Sequence, residues 1–449
     1  MRCAGQKRHR DSRAQPRMNL APYSGTHLRW SFSRHQKPFV VRVVEPTNYE
    51  PGSHGELFDA ALTAMIERPR ASIDTYAETA PRPDPRQFDL VTFPEAFIDG
   101  ETLIAALEIF RMCGPSGCVH TGLRAKEGDA ARHLFRFEEV CALKKLIEKT
   151  LPSAKEDLRG FSAWLDDQNT ADRFNLGCLF LNDAEGETRI CLHPKLVRSK
   201  FEISPFREES MCEANLLTLV TLEPQQKQFG TITLQPLICS DALSLETDAG
   251  GDAPIAAVNR FAGCLGDAPP DHVDIVSVAT CTPQAAKALT ETNEVRIWHE
   301  RFRTSFLAAA REPQCARHHF AATVLANFQE IGIKPAGLSG VFLPIAANPV
   351  DLGPGVDVWL WGRPIDGDPD NRWSKSDEGG LSEWQSRGFI AGLTPDASAA
   401  ARIFGFAIQR LPREASPWEP QPPLTQLQIH ESVRGSHGAL TFRHGATYA

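Results

Sequence analysis

A chain of 449 residues is long enough for one large α/β domain with extensions, or for two domains. Its 42% hydrophobic and 23% charged residues are those of an ordinary globular protein, which argues against a disordered or fibrous chain. A formal net charge of −8 gives no overall attraction to nucleic acid or an anionic membrane surface, and no apolar run approaches the roughly 18 residues that span a bilayer.

Residues 1–37 carry Arg2, Lys7, Arg8, Arg10, Arg13 and Arg17 against one acid, Asp11, with few apolar side chains. Such a stretch buries too little surface to fold alone and is expected to be a disordered basic tail, or to precede a true start at Met18. A transit peptide is the other reading, but no amphipathic period is visible, and the apolar core of a secretory signal is missing. The expected compartment is the cytoplasm, where the eleven cysteines would be mostly buried thiols.

Order is expected from KPFVVRVVE (37–45), an alternating β-branched run that reads as a strand. GELFDAALTAMIERP (55–69) has helical spacing and stops at Pro69. FDLVTF is a short buried strand ending at Pro94-Glu95. TLIAALEIFRMCG reads as a helix and CVHTGLR as the next strand, a rhythm that argues for an α/β layered domain. Residues 124–172 interrupt it with a charged helical insertion. FNLGCLFLN, the DAEGE turn and TRICLHPKLV then form a hairpin signal. LQPLIC is a strand leading to Cys239, followed by a loop (247–254) and a short helix. VDIVSVAT, HHFAATVLANF and LSGVFLPIA read as strands, and EVRIWHERFRTSFLAAARE as an amphipathic helix. The tract 350–387 reads as a long loop, RGFIAGLTP as a strand and ASAAARIFGFAIQRL as a last helix. Residues 413–449 are expected to be a polar tail.

Three chemically able residues stand at strand ends: Glu95, Lys195 and Cys239. A thiol, an ammonium and a carboxylate brought together would supply nucleophile, electrophilic stabiliser and general base. The same residue types also occur as buried cysteines, solvated loop acids and snorkelling lysines, so the argument rests on their joint order. Cys113 and Cys118 in CGPSGC are spaced too widely for the usual zinc or redox motifs, and His318-His319 reads as a strand start rather than a ligand pair.

DLVTFPEAF, NLGCLFLNDAEGETRICLHPKLV and PLICSDAL resemble, in order and local sequence, the three catalytic motifs of the nitrilase, or carbon–nitrogen hydrolase, superfamily. The resemblance covers roughly residues 38–412. It implies an α-β-β-α sandwich in which Glu95 is the base, Lys195 the oxyanion stabiliser and Cys239 the nucleophile, with the Ser240 backbone N–H beside the oxyanion. A second glutamate that positions the lysine would be Glu213 in MCEAN. The resemblance also implies a small-molecule amide or nitrile substrate, no metal or organic cofactor, and a homodimer or higher homo-oligomer built on the 294–312 helix and the C-terminal tail. Two departures matter. His193-Pro194 replaces the family's aromatic and basic pair before the lysine, which leaves Lys200 as an alternative. Ser240-Asp241 replaces the Trp-Glu pair of many nitrile hydrolases, which favours amides. Nitrile hydrolysis, glutaminase-type ammonia release and a non-catalytic sensor or effector module on the same fold are the competing expectations.

Overall fold

The computed structural model describes residues 23–33, 39–46, 54–66, 88–113, 117–125, 133–199, 202–204, 209–226, 229–242, 254–281, 313–328, 339–343, 356–360, 363–364, 387–393, 401–408, 424–434 and 440–448. Their strands are β1 (Ser24–Phe32), β2 (Phe39–Pro46), β3 (Leu90–Thr92), β4 (Cys118–Leu123), β5 (Phe135–Arg136), β6 (Arg173–Phe174), β7 (Leu176–Asn182), β8 (Thr188–Pro194), β9 (Leu216–Pro224), β10 (Ile232–Ile238), β11 (Ile275–Ala279), β12 (Ala322–Ala326), β13 (Gly340–Leu343), β14 (Val356–Leu360), β15 (Arg363–Pro364), β16 (Arg387–Leu393), β17 (Ala401–Ile408), β18 (Leu424–Arg434) and β19 (Leu440–Tyr448). The helices are α1 (Gly55–Ile66), α2 (Gly100–Cys113), α3 (Phe137–Thr150), α4 (Ala154–Asp157), α5 (Arg159–Asp166) and α6 (Pro254–Arg260).

Side-chain alternation decides the layering. In β9, Val220 and Leu222 join one buried apolar cluster while Leu217 and Leu219 join another. In β2 the split falls between Val41 and Val43 on one face and Val44 on the other. The first cluster lies between two mixed sheets, ordered β1-β9-β10-β11-β12-β13-β16-β14-β15 and β19-β18-β17-β2-β3-β4-β7-β8. The second cluster joins their outer faces to helices: Phe58 and Leu62 of α1 and Leu103 and Phe110 of α2 pack with β3 residues, and Val258 of α6 packs in the same cluster as Leu217. The chain is therefore α/β, with apolar layers on both faces of its sheets.

The helical insertion belongs to this core. The two-stranded ladder β5–β6 closes its base, and Val140, Ile147, Phe161 and Trp164 are buried in the helix-facing cluster. Asp157 of α4 accepts hydrogen bonds from Trp30 Nε1 at 3.2 Å and Arg189 Nε at 2.9 Å, tying the insertion to β1 and β8.

Five expectations are corrected. Residues 24–32, placed in a disordered basic segment, form β1, which pairs in parallel with β9. Trp30 and Phe32 are fully buried there, each contributing about 1.5–3 kcal/mol of burial. The stretch ARIFGFAI, read as helix, is β17, because β2 and β18 pair with it on both sides and override the helix propensity of the alanines before it. The expected polar tail contains β18 and β19, which extend the same sheet. The tract 350–387 contains β14 and β15. His318 closes a 3-10 turn, its Nε2 2.7 Å from Gln235 Oε1, and does not start a strand. The helix expected over 294–312 lies outside the described residues, and no helix among the described residues is long and apolar enough to cross a membrane.

Candidate active site

The carboxyl ends of β3 and β8 from one sheet meet those of β10 and β11 from the other, and Glu95, Lys195 and Cys239 lie there together. Glu95 N donates to Thr280 O just past β11 at 3.2 Å, which joins the two sheets at this edge. Cys239 stands where β10 turns into a 3-10 turn, with φ of 44°. Its only non-glycine companion in left-handed backbone among the described residues is Ala96, φ 52°, next to Glu95. That conformation costs an L-residue roughly 1–2 kcal/mol and tends to persist where the surroundings over-determine it, as at active sites. At Ala96 the surroundings are visible: a Cβ on Gly122 would run into Glu95 Cα and Ala96 N, so β4 can approach the turn closely only with glycine there.

Lys195 Nζ, almost fully buried, donates to Glu95 Oε1 at 2.8 Å and to Glu202 Oε1 at 2.9 Å. Asn175 Nδ2 donates to the same two oxygens at 2.7 and 2.8 Å, and Cys281 N to Glu95 Oε2 at 3.1 Å. Burial raises the Glu95 carboxyl above its ordinary range, with Lys195 pulling the other way. Burial opposes the charge on Lys195, but Glu202 and Glu95 outweigh it and hold the ammonium well above its ordinary value. Glu202 is also buried, yet the lysine, the Asn175 amide and the Ser199 N–H hold its carboxyl below the ordinary value.

The thiol follows a different rule from the one a lysine neighbour suggests. Burial first, then the Glu95 charge, push Cys239 well above its ordinary value, while Lys195 only partly opposes them. With its pKa raised in this way, the resting Cys239 thiol is protonated, with the Glu95 carboxylate beside it. Its activation therefore needs a base at the moment of attack.

Not every expected residue is part of this cluster. The acid beside Lys195 is Glu202; Glu213 instead accepts the Arg198 N–H at 3.1 Å and makes no ion pair with the lysine. The acid that contacts the lysine is thus Glu202 rather than Glu213. Lys200 lies outside the described residues. Ser240 donates its hydroxyl to Val197 O, tying the residue after Cys239 to the lysine loop. Asp241 strengthens this tie: its Oδ1 accepts from Leu196 N at 2.9 Å and Val197 N at 2.7 Å, and its Oδ2 from Ile238 N at 3.1 Å. Sequence reasoning missed Asn175, Cys281 and Glu202. A polar Asn at the mouth of an apolar strand and a cysteine ending VDIVSVATC were available signals, whereas Glu202 had none beyond lying between Phe201 and Ile203.

No family model matches the chain, and no curated protein is significantly similar to it.

The two acids make a direct comparison. Glu202→Gln should lower kcat by at least about 10-fold, since it removes a charge that holds the ammonium in place, whereas Glu213→Gln should stay within about twofold. Equal losses in the two folded variants, measured in one turnover assay, would return the positioning role to Glu213.

Proposed function

We propose that the protein is a carbon–nitrogen hydrolase of the nitrilase type, built on an α-β-β-α sandwich, that cleaves an amide through an acyl-enzyme on Cys239. The observation that carries this reading is the buried ammonium of Lys195, bonded to Glu95 and Glu202, beside the Cys239 thiol, whose ionisation both Glu95 and Lys195 influence.

Glu95 takes the thiol proton as sulfur attacks the amide carbon. The negative charge passes to the substrate oxygen, which the Lys195 ammonium and the Ser240 backbone N–H receive. Once Glu95 is protonated it no longer competes as an anion for Lys195, so the lysine charge becomes available as the oxyanion forms. Glu95 then gives its proton to the departing amine or ammonia, and later removes one from the water that releases the acyl group. Glu202 and Asn175 keep the ammonium in line throughout. Ser240-Asp241 in place of Trp-Glu favours an amide over a nitrile.

Mass spectrometry of the intact protein, after mixing with a panel of primary and N-substituted amides, tests the proposal. An acyl mass on Cys239, absent in Cys239→Ala, together with a carboxylate product is expected, and the co-product, ammonia or a larger amine, identifies the amide class. Undiminished turnover in Cys239→Ala would overturn the mechanism. Neither adduct nor product from the folded protein would favour a non-catalytic module on the same fold.

A further inference from the structure

Beneath the site, the apolar layer between the sheets is interrupted by four polar side chains. Thr92 Oγ1 lies 2.9 Å from Ser277 Oγ, which lies 2.8 Å from His120 Nδ1, and His120 Nε2 lies 3.1 Å from His193 Nε2. All four are buried, and each has the strand parity of a neighbour in the inter-sheet cluster: Leu90, Ile275, Cys118 and Cys191. An Nε2–Nε2 contact requires one ring to donate and the other to accept. The hydroxyls can then align so that every donor points the same way along the chain of groups, an arrangement in which each bond polarises the next.

The path of this belt across the sheet is unusual. His120 is on β4 and His193 on β8, and β7 runs between them. At a spacing of about 4.8 Å per strand their backbones are roughly 10 Å apart. His193 is paired with Gly177 of β7, and a Cβ on Gly177 would lie 2.5 Å from His193 Nε2. The imidazole reaches its partner only because the intervening residue has no side chain.

Three of the four strands in the belt lead into a group of the site. Thr92 is three residues before Glu95, His193 two before Lys195 and Ser277 four before Cys281. The intervening backbone is bonded throughout: Phe93 N to His120 O at 2.8 Å, Gly122 N to Pro94 O at 3.0 Å and Lys195 N to Asn175 O at 2.8 Å. A shift of the belt therefore has no slack in which to dissipate before it reaches the carboxylate and the ammonium. Apolar residues would fill this layer at lower desolvation cost, so the use of four polar ones points to a demand for geometry.

We propose that the Thr92–Ser277–His120–His193 belt sets the separation of Glu95 and Lys195, making His120 and His193 positioning residues for the hydrolase reaction proposed above, on which this role rests. Removing the belt misplaces base against ammonium, which slows chemistry and leaves substrate binding largely intact.

The test uses the full chain with His193→Leu, Gly177→Ala, His193→Gln and Ser277→Ala, checked for folding by circular dichroism. Two quantities are read: kcat and KM on an amide substrate, and the rate at which iodoacetamide alkylates Cys239 relative to Cys178. His193→Leu and Gly177→Ala are expected to lower both kcat and the alkylation rate at least about 10-fold, with KM within about twofold, because small misplacements of reacting groups are costly. His193→Gln, whose amide can restore the bond to His120, should recover most of the loss. Ser277→Ala removes one hydroxyl, serves as the reading should the larger changes fail to fold, and is expected to lower both rates about threefold. Unchanged kcat and alkylation in folded His193→Leu, Gly177→Ala and Ser277→Ala would reduce the belt to core packing while leaving the hydrolase intact. A wild-type Cys239 that reacts no faster than Cys178 would overturn the hydrolase reading and the positioning role together.

Discussion

Replacing Glu95 by Gln is expected to cut turnover at least about 10²-fold while the protein stays folded. The substitution keeps the size of the side chain and removes the carboxylate that is bonded to the ammonium and lies beside the thiol. Because the thiol is held well above its ordinary value by burial and by Glu95, it is not ionised at rest, and without a base the attack loses its proton acceptor. The pH profile gives a second signature. The proposed mechanism requires ionised Glu95, so kcat/KM should fall as pH drops through its folded pKa, which burial places above the ordinary value of 4.5. The residual rate of the Gln variant should lack that acid limb. Some stability is also lost: Glu95 accepts from Lys195, Asn175 and Cys281 N, and a Gln amide that serves the first two turns its NH₂ toward the third. One mismatched buried donor costs about 1–3 kcal/mol, so turnover should be compared where both proteins are fully folded. Wild-type turnover in a folded Gln variant would remove Glu95 from the mechanism.

Lys195→Ala should abolish acyl-enzyme formation altogether. The ammonium bonds two buried carboxylates at once, and its removal leaves Glu95 and Glu202 joined by Asn175 without a cation. Breaking a buried ion pair in this way costs about 3–5 kcal/mol, relieved in part when one carboxyl takes up a proton. A proton on Glu95 would disable the base as well, so the defect should exceed that of losing the oxyanion contact alone. Lys195→Arg should not rescue. A planar guanidinium cannot occupy the place of a compact ammonium that bonds Glu95 and Glu202 within 3 Å. Lys195→Met, which fills the volume without the charge, separates packing from electrostatics and should be equally inactive. An acyl adduct of normal yield in either Ala or Met variant, read by intact mass, would overturn the assignment.

The gathering of Glu95, Lys195 and Cys239 at the sheet edge was legible in the sequence because strand ends are legible. FDLVTF, TRICLHP and LQPLIC are short apolar runs bounded by proline or a polar turn, and the residue following such a run is delivered to the sheet edge by the pleat itself. Lys195 directly follows its run, Cys239 closes LQPLIC and Glu95 stands two residues past FDLVTF. The charged pattern of 137–166 likewise announced helices, since its apolar residues recur at helical spacing.

What the sequence could not settle depends on partners distant along the chain. ARIFGFAI suits either a helix or a strand, and only β2 and β18 on its two flanks make it β17. SGTHLRWSF lies in a basic segment with little apolar surface of its own, and becomes β1 because β9 supplies an edge and the inter-sheet layer takes up Trp30 and Phe32. Between Glu202 and Glu213 no periodicity decides, since both lie in connecting segments whose course follows from bonds made elsewhere. By itself the sequence determined which residues stand at the strand ends, because alternation and strand termination are local. The tertiary structure alone decided which acid holds the lysine, because that required Asn175 to reach across to both Glu95 and Glu202 and the Ser199 N–H to fix the second of them.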